Sequence, residues 1–546
     1  MHIVVESSSS GVTLTTLDDT GAFVGESVVS ESDFSAEVAR REASRPRWVW
    51  SDTEHWYPRL LEAGVRVERC VDLRLCRAIL RNSPLTQSTD VAAAPPDAWD
   101  EPPADAASPA VGATLFDLEP ARPGDQLDPL REFLRQRAAA PPALALLLSA
   151  ESAGALVAAE IKHTGLPWRA EVHDELLTRM LGPRPRVGER PGRMEALARD
   201  IRAALDAPEL NPDSAGTLLR ALQRAGLRVE STSKWELQRV EHPVITPLLE
   251  YKSLARLYSA NGWHWLDTNV RDGRFHPDYV PGGVVTGRWA SRGGGGALQL
   301  PKQVRGAVLA DPGHVLVVAD ASQLEPRILA AMARDRAMVE AGAQGDLYAG
   351  IVASGAVATR EQAKLAMLGA MYGATQGESG RLIPALARAY PGAIRLVEGA
   401  ARVGERGERV STLLGRGSPL PGEDWHELQS LASAEGASTA LQERARAAAR
   451  SWGRFTRNFV VQGTAAEWAL CWMATLRQKL HALGGAPQLA FFLHDEVVVH
   501  TPSELADVTA DAIREAAVEA GRLLFGELPI RFPLTVATVQ SYADAK

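Results

Sequence analysis

Short apolar runs, broken by Gly, Pro, Asp and Ser, open the chain. His2–Val5, Val12–Leu17 and Arg47–Trp50 read as strands, Trp56–Glu62 as a short helix, Val65–Arg69 as a strand and Leu73–Leu80 as a helix. Together they predict a small α/β unit over the first 80 residues. Residues 82–126 break the pattern, with Pro84, Pro95, Pro96, Pro102, Pro103, Pro109, Pro120 and Pro123 among Ala, Ser and Asp. That is the composition of a linker or long insertion. Pro129–Ala138 and Glu151–His163 read as helices, and residues 195–260 are helical throughout. There Asn211-Pro212-Asp213-Ser214 offers an N-cap region ahead of Leu218, Leu219 and Leu222; Gly226 ends that helix and Pro247–Ala260 forms another. Residues 273–310 are Gly-rich and loop-like.

Three later segments carry chemistry. In the first, an apolar strand, Val315–Val318, runs into Asp320, and a helix follows from Leu324. An acid there either sits at a sheet edge, where ligands gather, or caps the helix. In the second, Arg360, Lys364, Leu368 and Tyr372 recur every fourth residue, ahead of Gly373. Each such step advances about 40° around a helix, so the four share one slowly turning face. Two cations one turn apart suit a polyphosphate, or merely a solvated surface. In the third, two apolar β-prone runs, Leu489–Leu493 and Val497–His500, flank His494-Asp495-Glu496, the form of a hairpin with acids at its tip. Charges so placed are costly unless they bind something, and a hard cation such as Mg²⁺ suits carboxylate oxygens.

Composition adds limits. Hydrophobic residues make up 45% and charged residues 23% of the 546, which excludes global disorder. No unbroken apolar run reaches about 18 residues, so no membrane span is expected. The three cysteines, Cys70, Cys76 and Cys471, form neither a disulfide framework nor a CxxC metal pair, and a reducing cytoplasm is expected. The net charge of −8 is concentrated in residues 1–150, where 14 Lys+Arg stand against 23 Asp+Glu. The remaining 45 basic and 44 acidic residues nearly balance, which still permits a local basic groove for phosphates.

These segments resemble the motifs of family A DNA polymerases, the bacterial polymerase I type. Asp320 to Arg327 resembles motif A, Arg360, Lys364 and Tyr372-Gly373 resemble motif B, and His494-Asp495-Glu496 resembles motif C. Leu249-Glu250-Tyr251, Thr286-Gly287-Arg288, Leu298-Gln299 and the series Arg454, Asn458, Gln462-Gly463-Thr464-Ala465-Ala466 follow in family order. The resemblance covers about 150 to 546. It implies a multidomain α/β and α+β chain, a right hand of palm, fingers and thumb behind an N-terminal RNase H-like exonuclease-type domain. Its domains would be a degenerate exonuclease-like unit (1–140), connecting helices (141–194), thumb (195–260), palm (261–335 and 441–546) and fingers (336–440).

The same resemblance implies template-directed DNA synthesis, in repair or gap filling, by a bacterial, cytoplasmic, nucleoid-associated monomer. Primer–template DNA and dNTPs would be its partners, and two Mg²⁺, replaceable by Mn²⁺, its cofactors. Asp320, Ala321 (through its carbonyl) and Asp495 would hold metal, and Glu496 would support catalysis. Arg360, Lys364, Leu368, Tyr372, Gln323, Glu325 and Tyr348 would face the nucleotide, with Glu325 blocking a ribose 2′-hydroxyl. Arg288, Gln299, Arg454, Asn458, Gln462 and His494 would contact DNA. Three positions depart from the family pattern: Ala321 replaces a Tyr, Leu368 an aromatic, and Tyr348 a common His. A homologue that binds DNA but synthesises little is the alternative.

The N-terminal unit holds the tempting triplet Asp52-Thr53-Glu54, but its surroundings resemble the stretch after the family's second exonuclease motif. In that register Asp52 stands where Asn is usual and Trp56 where a metal-binding Asp is expected. Glu6 is the one acid at the first motif, and no Tyr occurs between Tyr57 and Tyr251 to form the third. A proofreading domain that has lost its site is therefore expected, with Asp52 and Glu54 as surface helix caps.

Overall fold

The computed structural model describes residues 1–101, 127–292, 300–343, 345–373 and 377–545. They form two compact units: Met1–His163 with Tyr279–Ala290 and Ala319–Val536, and Thr164–Asp278 with Ser291–Val318 and Ala537–Lys546.

The first unit begins with a five-stranded sheet: β1 (His2–Ser8), β2 (Gly11–Leu17), β3 (Phe23–Val29), β4 (Arg47–Trp50) and β5 (Arg69–Asp72), in the order β3-β2-β1-β4-β5. β1, β2 and β3 are an antiparallel meander, and β4 and β5 add in parallel, with His2 opposite Arg47 and Arg47 opposite Arg69. Alternation sends Ile3, Val5, Trp48 and Trp50 into one core with Phe34, Trp56 and Tyr57. Val4, Leu17 and Val49 enter another with Leu73 and Phe133. Both faces are covered, which is why β1 reads as a continuous apolar run.

Several boundaries differ from the sequence reading. The strand expected over Val65–Arg69 begins only at Arg69: Val67 plugs the core from a loop, and β5 takes its register from β4. The helix expected from Trp56 is Thr53–Glu62, and the one expected from Glu151 is Ala145–Thr164. The sequence reading missed β3 and the helix Phe34–Glu42; β3 leaves Phe23, Val24 and Val28 exposed, so its pattern does not alternate cleanly with burial. The segment read as a linker is packed at its start, where the turn Pro84–Thr86 and the helix Asp90–Ala93 bury Thr86 and Val91. Its remainder, 102–126, lies outside the described residues.

One helix among the described residues, Pro142–Thr164, is long and apolar enough to cross a membrane. The expectation that no such segment exists needs that correction, because Ser149, Glu151 and Ser152 break the apolar run yet leave its mean hydropathy high. Here most of the helix is buried in the protein, Glu151 pairs with Arg416, and Glu160 pairs with Arg477. The unit's longest element is the 44-residue helix Thr439–Ala482, about 66 Å long.

The second unit contains β6 (Leu166–Pro167), β7 (Val270–Arg271) and β8 (Arg274–Phe275) in the order β6-β8-β7. Trp168, His173, Trp265 and Phe275 cluster beside them. The helical reading of 195–260 is met by Gly192–Ala204, Ala215–Arg224, Lys234–Leu237 and Ile245–Asn261. Ser214 is the N-cap of the second, without a side-chain cap bond, and Gly226 follows it with φ +85°.

β9 (Tyr279–Val280) pairs with β10 (Ala290–Ser291). A four-stranded sheet follows from β11 (His314–Ala321), β12 (Gln488–Leu493), β13 (Glu496–Pro502) and β14 (Leu534–Val539), in the order β12-β13-β11-β14. β11 and β14 are strands in which the chain passes from one unit to the other.

Candidate active site

β12 and β13 are the expected hairpin. Phe492 faces Val497 and Leu493 faces Glu496, leaving His494-Asp495 as the turn, with His494 at φ +60°. Glu496 is buried beneath it. β11 is buried from Val315 to Ala319 and emerges at Asp320, which is half-buried. The next N–H, of Ala321, donates to the Asp495 carbonyl at 2.8 Å. Asp320 and Asp495 thus lie at neighbouring strand ends.

Asp320 does not cap the following helix. The N-cap of Leu324–Ala333 is Gln323, in the left-handed conformation at φ +57° and without a side-chain cap bond. The Gln323 side chain is committed elsewhere: its Nε2 donates to Asp346 Oδ1 at 2.7 Å, and its Oε1 accepts from the Leu347 N–H at 2.8 Å. Below, fully buried Arg327 donates to the carbonyls of Ser322 at 3.3 Å, Gly342 at 3.1 Å and Arg531 at 3.1 Å, and to that of Gly345. It fixes the turn around motif A.

Asp346 is the residue the sequence reading missed. Its Oδ1 also accepts from the N–H groups of Tyr348 (2.9 Å) and Ala349 (3.2 Å), capping the helix Leu347–Ala353, while Oδ2 accepts from Arg360 Nε at 2.8 Å. Against the cost of partial burial, Arg360 and Gln323 hold this carboxyl down at about 2. The signal was present: Asp directly before Leu347-Tyr348-Ala349 is an N-cap pattern. Arg360 also lies over the Tyr348 ring, 5.5 Å from its centroid. Tyr348 is buried, and burial, then the Glu325 charge, pushes its hydroxyl up to about 12.

Motif B is the helix Arg360–Tyr372, capped by the Thr359 side chain. Lys364 is exposed and has no ion pair among the described residues; Leu368 is half-buried and Tyr372 emerges at the end. Gly373 closes the helix at φ +72°, where an added Cβ would lie 2.8 Å from Arg454 Cγ. The side chain of Arg454 thus passes directly under the end of motif B.

Glu325 is a second meeting point. Arg288 donates to its Oε1, and the Tyr372 hydroxyl donates to its Oε2 at 2.7 Å. Gln462 Nε2 donates to that hydroxyl at 3.4 Å. Burial, then Glu325, raises the Tyr372 pKa. Burial, then Arg288, lowers that of His494. Asn458 is half-buried, and its Oδ1 has no hydrogen-bond partner. Gln299 lies outside the described residues.

Asp320, Asp495 and the Ala321 carbonyl are hard oxygen donors. Among the described residues no cluster of three or more His, Cys, Asp and Glu side chains suits a metal. A site of few carboxylates fits an ion of the Mg²⁺ kind, which keeps waters or substrate phosphates in its shell, better than one demanding a full protein cage.

Asp320 and Asp495 at adjoining strand ends, with the cation-bearing helix Arg360–Tyr372 in the same unit, form the candidate site. The whole chain matches the fold of the POL domain of Pol1 from M. smegmatis, solved in complex with DNA primer-template and dNTP, at a TM-score of 0.65 and 18% identity over 95% of that chain. The chain belongs to DNA polymerase family A, whose family model matches residues 191–542. DNA polymerase I of Deinococcus radiodurans is 28% identical over 353 residues, covering 59% of this chain and 34% of its own. The thermostable DNA polymerase I of Thermus thermophilus is 27% identical over 346 residues, covering 58% and 38%. The chain thus matches only about a third of the length of these curated relatives.

Proposed function

We propose that this chain is a template-directed DNA polymerase, extending a primer 3′-hydroxyl with dNTPs. The observation that carries the reading is the Ala321–Asp495 backbone hydrogen bond, which brings Asp320 and Asp495 to neighbouring strand ends. In this reading residues 261–335 and 441–546 are palm, 336–440 fingers and 195–260 thumb. Asp320, Asp495 and the Ala321 carbonyl would hold divalent metal, Mg²⁺ or Mn²⁺, which when bound would supply Lewis-acid activation of the hydroxyl and charge neutralisation at the leaving pyrophosphate. Glu496 supports the turn that presents Asp495.

The protein's own groups do the rest. Lys364 and the outward nitrogens of Arg360 take up triphosphate charge, with Asp346 and Tyr348 aiming the guanidinium. Glu325, held between Arg288 and Tyr372, stands against a ribose 2′-hydroxyl, while Gln323 and Leu368 border the nucleotide. Arg288, Gln462, Arg454, Asn458, His494 and Gln299 contact the primer–template. Minor-groove acceptors are nearly alike in all four base pairs, so such contacts report pair shape.

The N-terminal sheet supports an RNase H-like reading through its order, three antiparallel strands joined by two parallel ones. Its remaining acids support loss of the nuclease. Asp52 accepts from the His55 N–H and Asp72 from those of Leu75 and Thr53, so both serve as helix caps or ties. Both are buried, so the expectation of a surface cap is corrected for Asp52. We take the protein to act as a cytoplasmic, nucleoid-associated monomer in repair or gap filling.

A primer-extension assay with each dNTP and Mg²⁺ tests the reading. Asp320→Ala or Asp495→Ala should abolish extension and leave primer–template affinity nearly intact. Extension by the double variant would refute the assignment. The pairing of Arg360 with Asp346 favours a second reading, a DNA-binding homologue with little synthesis. Normal DNA affinity with no extension by the unaltered chain would select it.

A further inference from the structure

We propose that a cavity at the start of β1, β4 and β5 binds a small organic anion: an acid group on a compact apolar body, with an N–H or O–H donor beside it. The cavity measures 310 Å³ and lies in the first unit. Among the described residues, three basic side chains line it, His2, Arg47 and Arg137, and no Asp or Glu does. Phe133, Leu148 and Pro142 give it apolar walls. That composition, a mostly apolar hollow with a few convergent polar groups, is that of a small-molecule site.

The basic groups are poorly neutralised from within the protein. Arg47 has no carboxylate partner among the described residues, and its Nη1 reaches only the Cys70 carbonyl, at 3.5 Å. Its pKa is lowered by burial and then by Arg69. Arg137 donates to the Asp19 carbonyl, which does not cancel its charge. The His2 ring is tilted 45° to that of Phe133, with centroids 5.1 Å apart, and contacts the Asp18 carbonyl at 3.5 Å; burial lowers its pKa, so the two guanidiniums carry the charge. A partly buried guanidinium without a counter-charge is costly, and a bound anion removes that cost.

Gln136 supplies the second half of the recognition. It lines the cavity and is 4% exposed. Its Nε2 donates to the Leu73 carbonyl and to Glu132 Oε1, both at 2.8 Å. Both partners are acceptors, so the amide orientation is set and Oε1 is an acceptor in turn. That Oε1 is buried without a hydrogen-bond partner. A ligand donor would satisfy it. Cys70 and Cys76 are also among the lining residues, but burial raises both thiols above the usual range, so a reversible ligand fits better than a covalent adduct.

Calorimetric titration of the full chain tests this with four probes: 3-hydroxybenzoate, benzoate, 3-hydroxybenzyl alcohol and inorganic phosphate. 3-Hydroxybenzoate carries acid, ring and a donor not bonded to its own carboxylate, and should bind saturably, one per chain. The neutral alcohol should bind about tenfold more weakly or worse, ~1.4 kcal/mol. Benzoate, lacking the donor, should be weaker by a smaller factor, and phosphate should not compete. Arg47→Met should weaken 3-hydroxybenzoate by a similar tenfold while the melting temperature holds or rises, because a poorly paired buried charge is removed. Absence of saturable 3-hydroxybenzoate binding overturns the proposal. So does equal affinity for the alcohol, a comparison that needs no variant, or competition by phosphate at the 3-hydroxybenzoate affinity.

Discussion

The buried pair Arg477–Glu160 offers the sharpest test of how the N-terminal residues are fixed to the rest of the first unit. Arg477, on the helix Thr439–Ala482, donates to Glu160 Oε2 at 3.0 Å and Oε1 at 2.8 Å, to the Glu68 carbonyl at 2.9 Å and to the Tyr57 hydroxyl at 3.3 Å. It also donates to the Val67 carbonyl. The side chains are 10% and 11% exposed. Arg477→Met strands the Glu160 carboxylate with little beyond the Tyr57 hydroxyl, which donates to it at 2.5 Å. Breaking a buried pair from one side costs about 3–5 kcal/mol, whereas removing both charges is far cheaper. Glu160→Gln combined with Arg477→Met should therefore recover much of the loss.

The pH dependence has a definite sign. Burial alone would raise the Glu160 pKa, but Arg477 overcomes it and holds it below the ordinary value. The pair's stabilisation is thus present above the unfolded pKa and fades as pH falls through the folded one. In Arg477→Met burial is opposed only by the Tyr57 hydroxyl and the Arg66 charge, and the folded carboxyl should bind its proton more tightly than the unfolded one. That variant should then lose less stability at about pH 5 than at about pH 7, the reverse of the usual trend. Urea unfolding followed by tryptophan fluorescence, to which Trp48, Trp50 and Trp56 of the affected core contribute among the chain's 13 tryptophans, measures the loss. A cost under about 1 kcal/mol near neutral pH, or a double variant no more stable than Arg477→Met, would refute the reasoning.

Three further outcomes follow from the site. Lys364→Ala removes an exposed cation, so stability should move by no more than about 0.5 kcal/mol while single-turnover nucleotide use falls; a loss confined to DNA affinity would place Lys364 in the nucleic-acid groove instead. Asp346→Asn keeps an acceptor for the helix cap but discharges the partner of half-exposed Arg360, so it should cost below about 1 kcal/mol in stability yet raise the dNTP KM severalfold with DNA affinity unchanged. An unchanged KM would show that Arg360 needs no positioning. Given Mg²⁺ or Mn²⁺ and a mismatched primer end, the protein should not shorten the primer. Shortening that survives Asp320→Ala but vanishes in Asp52→Ala/Glu54→Ala would show that Asp52 and Glu54 belong to a working nuclease.

What the sequence disclosed follows from where local pattern and tertiary demand agree. The hairpin around Asp495 was legible because two β-prone runs flank a polar interruption, and the motif B helix because its four-residue spacing coincides with a capped end, Thr359 to Gly373. β5 was misplaced by a few residues because Val67 is apolar for the sake of the core, not of a strand, and only pairing with β4 sets the register. β3 was invisible because an edge strand need not alternate. Asp346 was overlooked because its role arises from Gln323 and Arg360, 23 and 14 residues away, which meet only after folding. Pairing of Glu325 with both Arg288 and Tyr372 was likewise beyond local pattern, since it joins three separate segments.

The retention of the N-terminal sheet has a physical reason in these contacts. Gln462, which reaches Tyr372, and Arg477, which grips Glu160, stand on one continuous helix, 15 residues or about 22 Å apart. Just beyond Gln462, the Thr464 hydroxyl accepts from the Leu413 N–H at 3.0 Å, and Glu467 accepts from the Leu414 N–H at 3.1 Å and from the Thr412 hydroxyl. Burial raises the Glu467 carboxyl to about 7, so this turn of helix depends on the loop 410–418 staying packed against it. That loop is tied in turn to the N-terminal residues. Arg416 pairs with buried Glu151, the Ser83 hydroxyl donates to the Gly415 carbonyl at 2.7 Å, and Arg409 donates to the Asn82 carbonyl at 3.2 Å. Without residues 1–163, Arg416 would lose Glu151 and the loop 410–418 its bonds to Ser83 and Asn82, while Arg477, on the helix that presents Gln462, would lose Glu160 and the Glu68 carbonyl. The buried groups of residues 1–163 thus support the helix that presents Gln462 independently of any chemistry of their own, since stranding one charge of a buried pair is costly.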